Sequence, residues 1–113
     1  MKNLILAAML FVASFSMQAQ EKSKNAKHNV SVSGNCDQCK KRIEKAAYSV
    51  SGVKSAVYHL DDQMLHLIVN EEKTSVVDVQ KAVAKAGHDT QDTKATDTDY
   101  ENLHFCCKYE RKN

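Results

Sequence analysis

The sequence predicts an α+β domain, a ferredoxin-like βαββαβ sandwich, and three observations predict it. Two stretches repeat apolar residues at helical spacing, and strand-like runs stand before, between and after them. Glycines at 34, 52 and 87 fall where those patterns change. No proline interrupts any of them.

"NVSVS", starting at Asn29, alternates apolar and polar residues as a short strand does, and Gly34 then frees the backbone for a sharp turn. In the following stretch Ile43, Ala46, Ala47 and Val50 share one helix face, with Lys40, Lys41, Arg42, Glu44 and Lys45 on the others. Ser51-Gly52 closes that helix. Residues 53–60 and 65–69 read as a hairpin joined through "DDQM", with Ala56, Tyr58 and Leu60 on the same face as Leu65, Leu67 and Val69. His59 and His66 fall out of phase with these and project from the opposite face. There they read as ordinary exposed polar positions in preference to a secondary metal site with Met64. Ser75 and Asp78 have the spacing of a capping box for a second helix carrying Val76, Val79, Val83 and Ala86, which Gly87 stops. A weak fourth strand is expected within residues 89–95.

Residues 1–19 have a positive start, an apolar run and small residues before Ala19, the layout of a secretory signal peptide. Export across an inner membrane into a periplasm is therefore expected, without membrane insertion of the mature chain. Residues 20–28 read as a flexible leader, 29–96 as the domain and 97–113 as an extension in which Asp97 or Thr98 caps a short helix with Tyr100 and Leu103 facing inward. A net charge of only +2 argues against a nucleic-acid partner.

All four cysteines, at 36, 39, 106 and 107, lie in the exported part, where free thiols need a reason to persist. Cys36 and Cys39 form a C-x-x-C at the start of a helix, so both sulfurs can converge on one point. The unpaired N–H groups of the first turn should acidify Cys39 most. Two thiolates suit Cu(I) or another soft ion. A structural zinc asks for four ligands, and C-x-x-C supplies two. The same pair could be a redox couple, with Cys106 and Cys107 as relay, or could be oxidised and structural. The lack of any proline to face a disulfide speaks against the redox reading. A strand leaving the thiols covers about 20 Å; a short returning helix recovers about 12 Å, and a few extended residues about 7–10 Å more. Cys106 and Cys107 therefore either return beside Cys36 and Cys39 or sit elsewhere while Phe105 and Tyr109 pack on the core.

On the C-x-x-C followed by Ile43-Glu44, on Gly52-Val53 and on Ala86-Gly87-His88, residues 32–89 resemble the heavy-metal-associated domain of copper chaperones, copper-transporting ATPases and periplasmic mercury-scavenging proteins. Where that family usually has Gly-Met-x-Cys, this chain has Gly34-Asn35-Cys36. The resemblance implies a non-enzymatic carrier of soft metal, with Cys36 and Cys39 as ligands and Cys106 and Cys107 as candidates to join them. His88 is implied to lie near the thiols, more as a cover than as a direct ligand. Cu(I) is the expected cargo, with Hg(II) or Zn(II) as alternatives. The implied partner is a copper-transporting ATPase or a similar metal-exchanging domain, and a metal-bridged dimer is a further implied state. Lys40, Lys41 and Arg42 form either a positive rim for an acidic partner or a solvated helix face. Thiol–disulfide oxidoreduction is the alternative function.

Overall fold

A computed structural model of the chain describes residues 22–111, so the expected signal peptide lies outside the described residues. Three antiparallel strands, β1 (Ala26–Ser31), β2 (Val53–His59) and β3 (Met64–Val69), form a sheet in the order β1-β3-β2. Two helices, α1 (Asp37–Tyr48) and α2 (Val76–Lys85), accompany the sheet. Beyond them come a short helix α3 (Asp97–Glu101) and a single 3-10 turn (Phe105–Cys107).

The core follows from the alternation. Val30 and Val32, Ala56 and Tyr58, and Leu65, Leu67 and Val69 meet Ile43 and Ala47 of α1 and Val79 and Val83 of α2, all buried. Each such Val, Leu or Ile contributes roughly 1.5–3 kcal/mol by leaving water. Ser75 caps α2, its hydroxyl accepting from the Asp78 N–H at 3.2 Å.

Two boundaries differ from expectation. β1 begins at Ala26, inside the expected leader, because the residues that make 20–28 look polar include Lys27, which simply lies on the sheet's open face while Ala26 and His28 pair with Val69 and Leu67. The expected fourth strand is reduced to one bridge between Val32 and Thr90. Residues 90–93 close a turn instead, with Thr90 N–H donating to Thr93 O at 2.8 Å. Buried Gln80 grips that turn from α2, accepting from Asp92 N at 2.7 Å and donating to Asp92 Oδ2 at 3.1 Å. With aspartates at 89 and 92 and no bulky apolar residue, "DTQDTKA" has little to gain from extending along the sheet.

Among the described residues no helix is long and apolar enough to cross a membrane.

Candidate metal centre

The β1–α1 loop is built by close packing. A Cβ at Gly34 would come 3.1 Å from Tyr58 Oη and 3.2 Å from both Cys39 Cβ and Ile43 Cδ1, so a larger residue there would have to push the thiol loop off the core. The Tyr58 hydroxyl donates to Val32 O, and Gln63 Nε2 in the hairpin turn donates to Gly34 O at 2.6 Å. Asn35 supplies a further brace, its Oδ1 accepting from the Cys39 thiol at 3.1 Å.

Cys36 is the N-cap of α1, in extended conformation, and Cys39 sits within the first turn. Their sulfurs are 3.3 Å apart and not bonded. The tail brings the second pair back: Cys36 Sγ lies 3.8 Å from Cys106 Sγ and 3.5 Å from Cys107 Sγ, and the latter two are 4.0 Å apart. The Cys39 thiol also faces Cys107 O at 3.9 Å. Of the two courses left open for the tail, the structure takes the return to the thiols. Tyr109 packs on the core as well, whereas Phe105 is 81% exposed.

Electrostatics reverse the expected order of the first two thiols. Burial pushes Cys39 up, because at 0% exposure desolvation outweighs the contacts that favour the thiolate. Burial also works against Cys36. There, however, hydrogen bonds from the Cys39 N–H and from the thiols of Cys39, Cys107 and Cys106 outweigh it and bring the pKa down to about 7. Cys107 is pushed well up, first by burial and then by its sulfur neighbours. Cys36 is thus a readily ionised sulfur, and its neighbours Cys39 and Cys107 are held in the thiol form by burial.

The spacing suits an ion. Sulfurs bonded at about 2.3 Å to one tetrahedral centre stand roughly 3.8 Å apart; the Cys36, Cys106 and Cys107 sulfurs are already spaced at 3.5–4.0 Å. Cys39 would complete a set of four soft donors, the chemistry that selects Cu(I), Hg(II) or Zn(II) over hard cations.

A family model for the heavy-metal-associated domain matches residues 29–89, more than half of the chain. The chain belongs to the heavy-metal-associated domain family. A copper chaperone, CopZ, from Staphylococcus haemolyticus is 30% identical over 56 residues, covering 50% of this chain and 82% of its own length. Among solved structures, a CopZ metallochaperone superposes with a TM-score of 0.56 at 26% identity over 57% of this chain and 98% of its own. Oxidized MerP from Ralstonia metallidurans CH34 superposes with a TM-score of 0.57 at 28% identity over 59% and 94%.

In this heavy-metal-associated domain, His88 lies in the loop after α2 and is fully buried. Its Nδ1–H donates to Ser33 O at 2.8 Å, and its ring stacks on Tyr109 with centroids 5.6 Å apart. Burial holds its pKa below the usual histidine range, so the ring is neutral at pH 7. Cys36, Cys106 and Cys107 have ligand atoms within 4.8 Å of one another, and both Cys39 and His88 lie outside that trio. His88 instead helps join the metal loop to the tail.

The residue that the sequence reading passed over is His104. As N-cap of the 3-10 turn it places Nδ1 3.2 Å from Cys106 Sγ. Its spacing, two before Cys106, was the available signal. Lys40 is ion-paired, whereas Arg42 is anchored to a backbone carbonyl and keeps its charge. Lys40 Nζ bonds Glu44 at 2.6 Å and Tyr58 O at 2.9 Å, and Arg42 donates to Ala86 O at 2.9 Å.

The tail is held by a second set of contacts. The Tyr109 hydroxyl donates to Gly87 O and accepts from Asp89 N, both at 2.8 Å. Arg111 grips Asp89 through Nε at 3.1 Å and Nη2 at 2.8 Å. Burial alone would raise the Asp89 carboxyl, but Arg111 and the Ala95 N–H outweigh it and hold its pKa below the ordinary range.

That balance has a predictable sign. A carboxyl whose folded pKa is depressed stabilises the fold fully above the unfolded value near ~4 and loses that contribution as pH falls through the folded value. Neutral, buried His88 adds a loss of the same sign as pH falls below about 6.5. Asp89→Asn is expected to cost about 2 kcal/mol at neutral pH. Thermal unfolding from pH 7 to 3 should show the variant and the parent converging at the acid end.

Proposed function

We propose that the protein is an exported carrier or scavenger of a soft metal ion, with Cu(I) as the cargo. What supports this reading is the convergence of three other unbridged sulfurs on Cys36 in a domain of this family. The ion enters on the ionised Cys36, Cys39 closes the C-x-x-C, and Cys106 and Cys107 take the remaining positions. Each further sulfur that binds gives up its proton. Release runs in reverse: an incoming thiolate from the partner displaces one sulfur at a time, and the high pKa of Cys107 favours its reprotonation once it is free. No covalent bond of a substrate is made or broken. A metal-binding domain of a copper-transporting ATPase, or a similar domain, is the proposed recipient, and a periplasm the proposed compartment. Hg(II) would use the same sulfurs.

The test is Cu(I) titration of the reduced full chain against a chromogenic chelator, beside Cys106→Ser/Cys107→Ser. Stoichiometric binding by the parent, and at least tenfold weaker binding by the double variant, are expected. Unchanged affinity would remove the tail from the site. Turnover in an insulin-reduction assay, without tight metal binding, would favour oxidoreduction instead.

A further inference from the structure

We propose that His59, Asp62 and His66 form a second metal site, chemically distinct from the thiols, for a borderline divalent cation such as Zn(II). One ligand atom from each of the three residues lies within 4.8 Å of the other two. The two imidazoles are 4.5 Å apart between ring centroids, although their residues are not directly paired: His66 opposes Val57, and His59 opposes Met64. Both stand on the face of the sheet opposite Tyr58, Leu65 and Leu67, away from the buried core.

The trio contains an atom that the fold leaves unexplained. Nε2 of His66 is closed off from solvent and has no hydrogen-bond partner. Buried ring nitrogens are ordinarily satisfied, and a cation is one way to supply the missing partner. Asp62 is the fixed member: its Oδ1 accepts from Met64 N at 3.1 Å, so its carboxylate is oriented before any ion arrives.

Two imidazoles and a carboxylate are nitrogen and oxygen donors. They favour Zn(II), Ni(II) or Cu(II), whereas the sulfurs favour soft ions. The turn carrying Asp62 is also tied to the cysteine loop, since Gln63 O accepts from Val32 N at 3.0 Å and Gln63 Nε2 donates to Gly34 O. The two sites therefore occupy the same end of the domain and sort cations by hardness.

The experiment uses the full chain with its thiols first saturated with Hg(II). Zn(II) is then titrated by calorimetry, with the assigned histidine ring resonances followed by NMR. One Zn(II) per chain is expected, with shifts at His59 and His66. His59→Ala, an exposed position that leaves the core intact, and His66→Ala should each weaken binding at least tenfold. His28→Ala should leave it unchanged. Absence of Zn(II) binding, or binding that survives His59→Ala, overturns the proposal. Because the resonances report these rings directly, that result stands apart from whether the thiols carry Cu(I).

Discussion

Cys36→Ser is expected to weaken Cu(I) binding by about three orders of magnitude, or ~4 kcal/mol, more than any other single cysteine substitution. Cys36 Sγ lies 3.3, 3.8 and 3.5 Å from the sulfurs of Cys39, Cys106 and Cys107. It is also a thiol whose pKa is lowered, to about 7, so a substantial fraction of it is thiolate at neutral pH. A serine alcohol is a hard, protonated donor and replaces neither property. The fold should survive, because position 36 is the N-cap of α1, where serine is among the favoured residues. Competition titration with a Cu(I) chelator measures the effect, and Cys106→Ser provides the comparison. Equal losses in the two variants would show that Cys36 is not the hub.

The second large effect concerns Gly87, which lies far from the sulfurs in sequence but under the tail. Its φ is +109°, in the region that favours glycine, and an added Cβ would stand 2.7 Å from Leu103 Cδ2 and 2.8 Å from Asp99 O. Leu103 can turn aside; the α3 backbone cannot move without moving the tail. Gly87→Ala is expected to cost about 3 kcal/mol, combining backbone strain with overlap. It should also lower Cu(I) affinity to the level of the Cys106→Ser/Cys107→Ser variant, since lifting α3 withdraws both cysteines. Urea unfolding and the same titration test the two halves. Lost stability with intact affinity would mean that the tail seats its cysteines independently of Gly87.

The hairpin and both helices were legible because their apolar residues recur with period two or near 3.6 over enough positions to be unambiguous. Residues 89–95 misled because a position after the second helix suggested a strand that their composition does not support. Gln80, from another element, supplies the hydrogen bonds that make a turn there instead. The acidity of the thiols was misread for a related reason. The helix-terminus effect on Cys39 is local and visible, but its complete burial depends on the tail arriving from residue 107. Chain-length arithmetic showed that the tail was able to return. What decided that it does was the Tyr109 hydroxyl bridging Gly87 and Asp89, together with the grip of Arg111 on Asp89, contacts with no local pattern.

Cys36 and Cys106 are separated by 70 positions in the chain, so an ion held by both ties the domain's beginning to its end. Such a cross-link acts as a reversible clasp: it closes a long loop and removes disorder from the unfolded chain, as a disulfide would. Loaded protein would then unravel less readily than empty protein. Every sulfur surrendered to a recipient would give back part of that restraint, so delivery of the cargo and loosening of the chain's far end become one event.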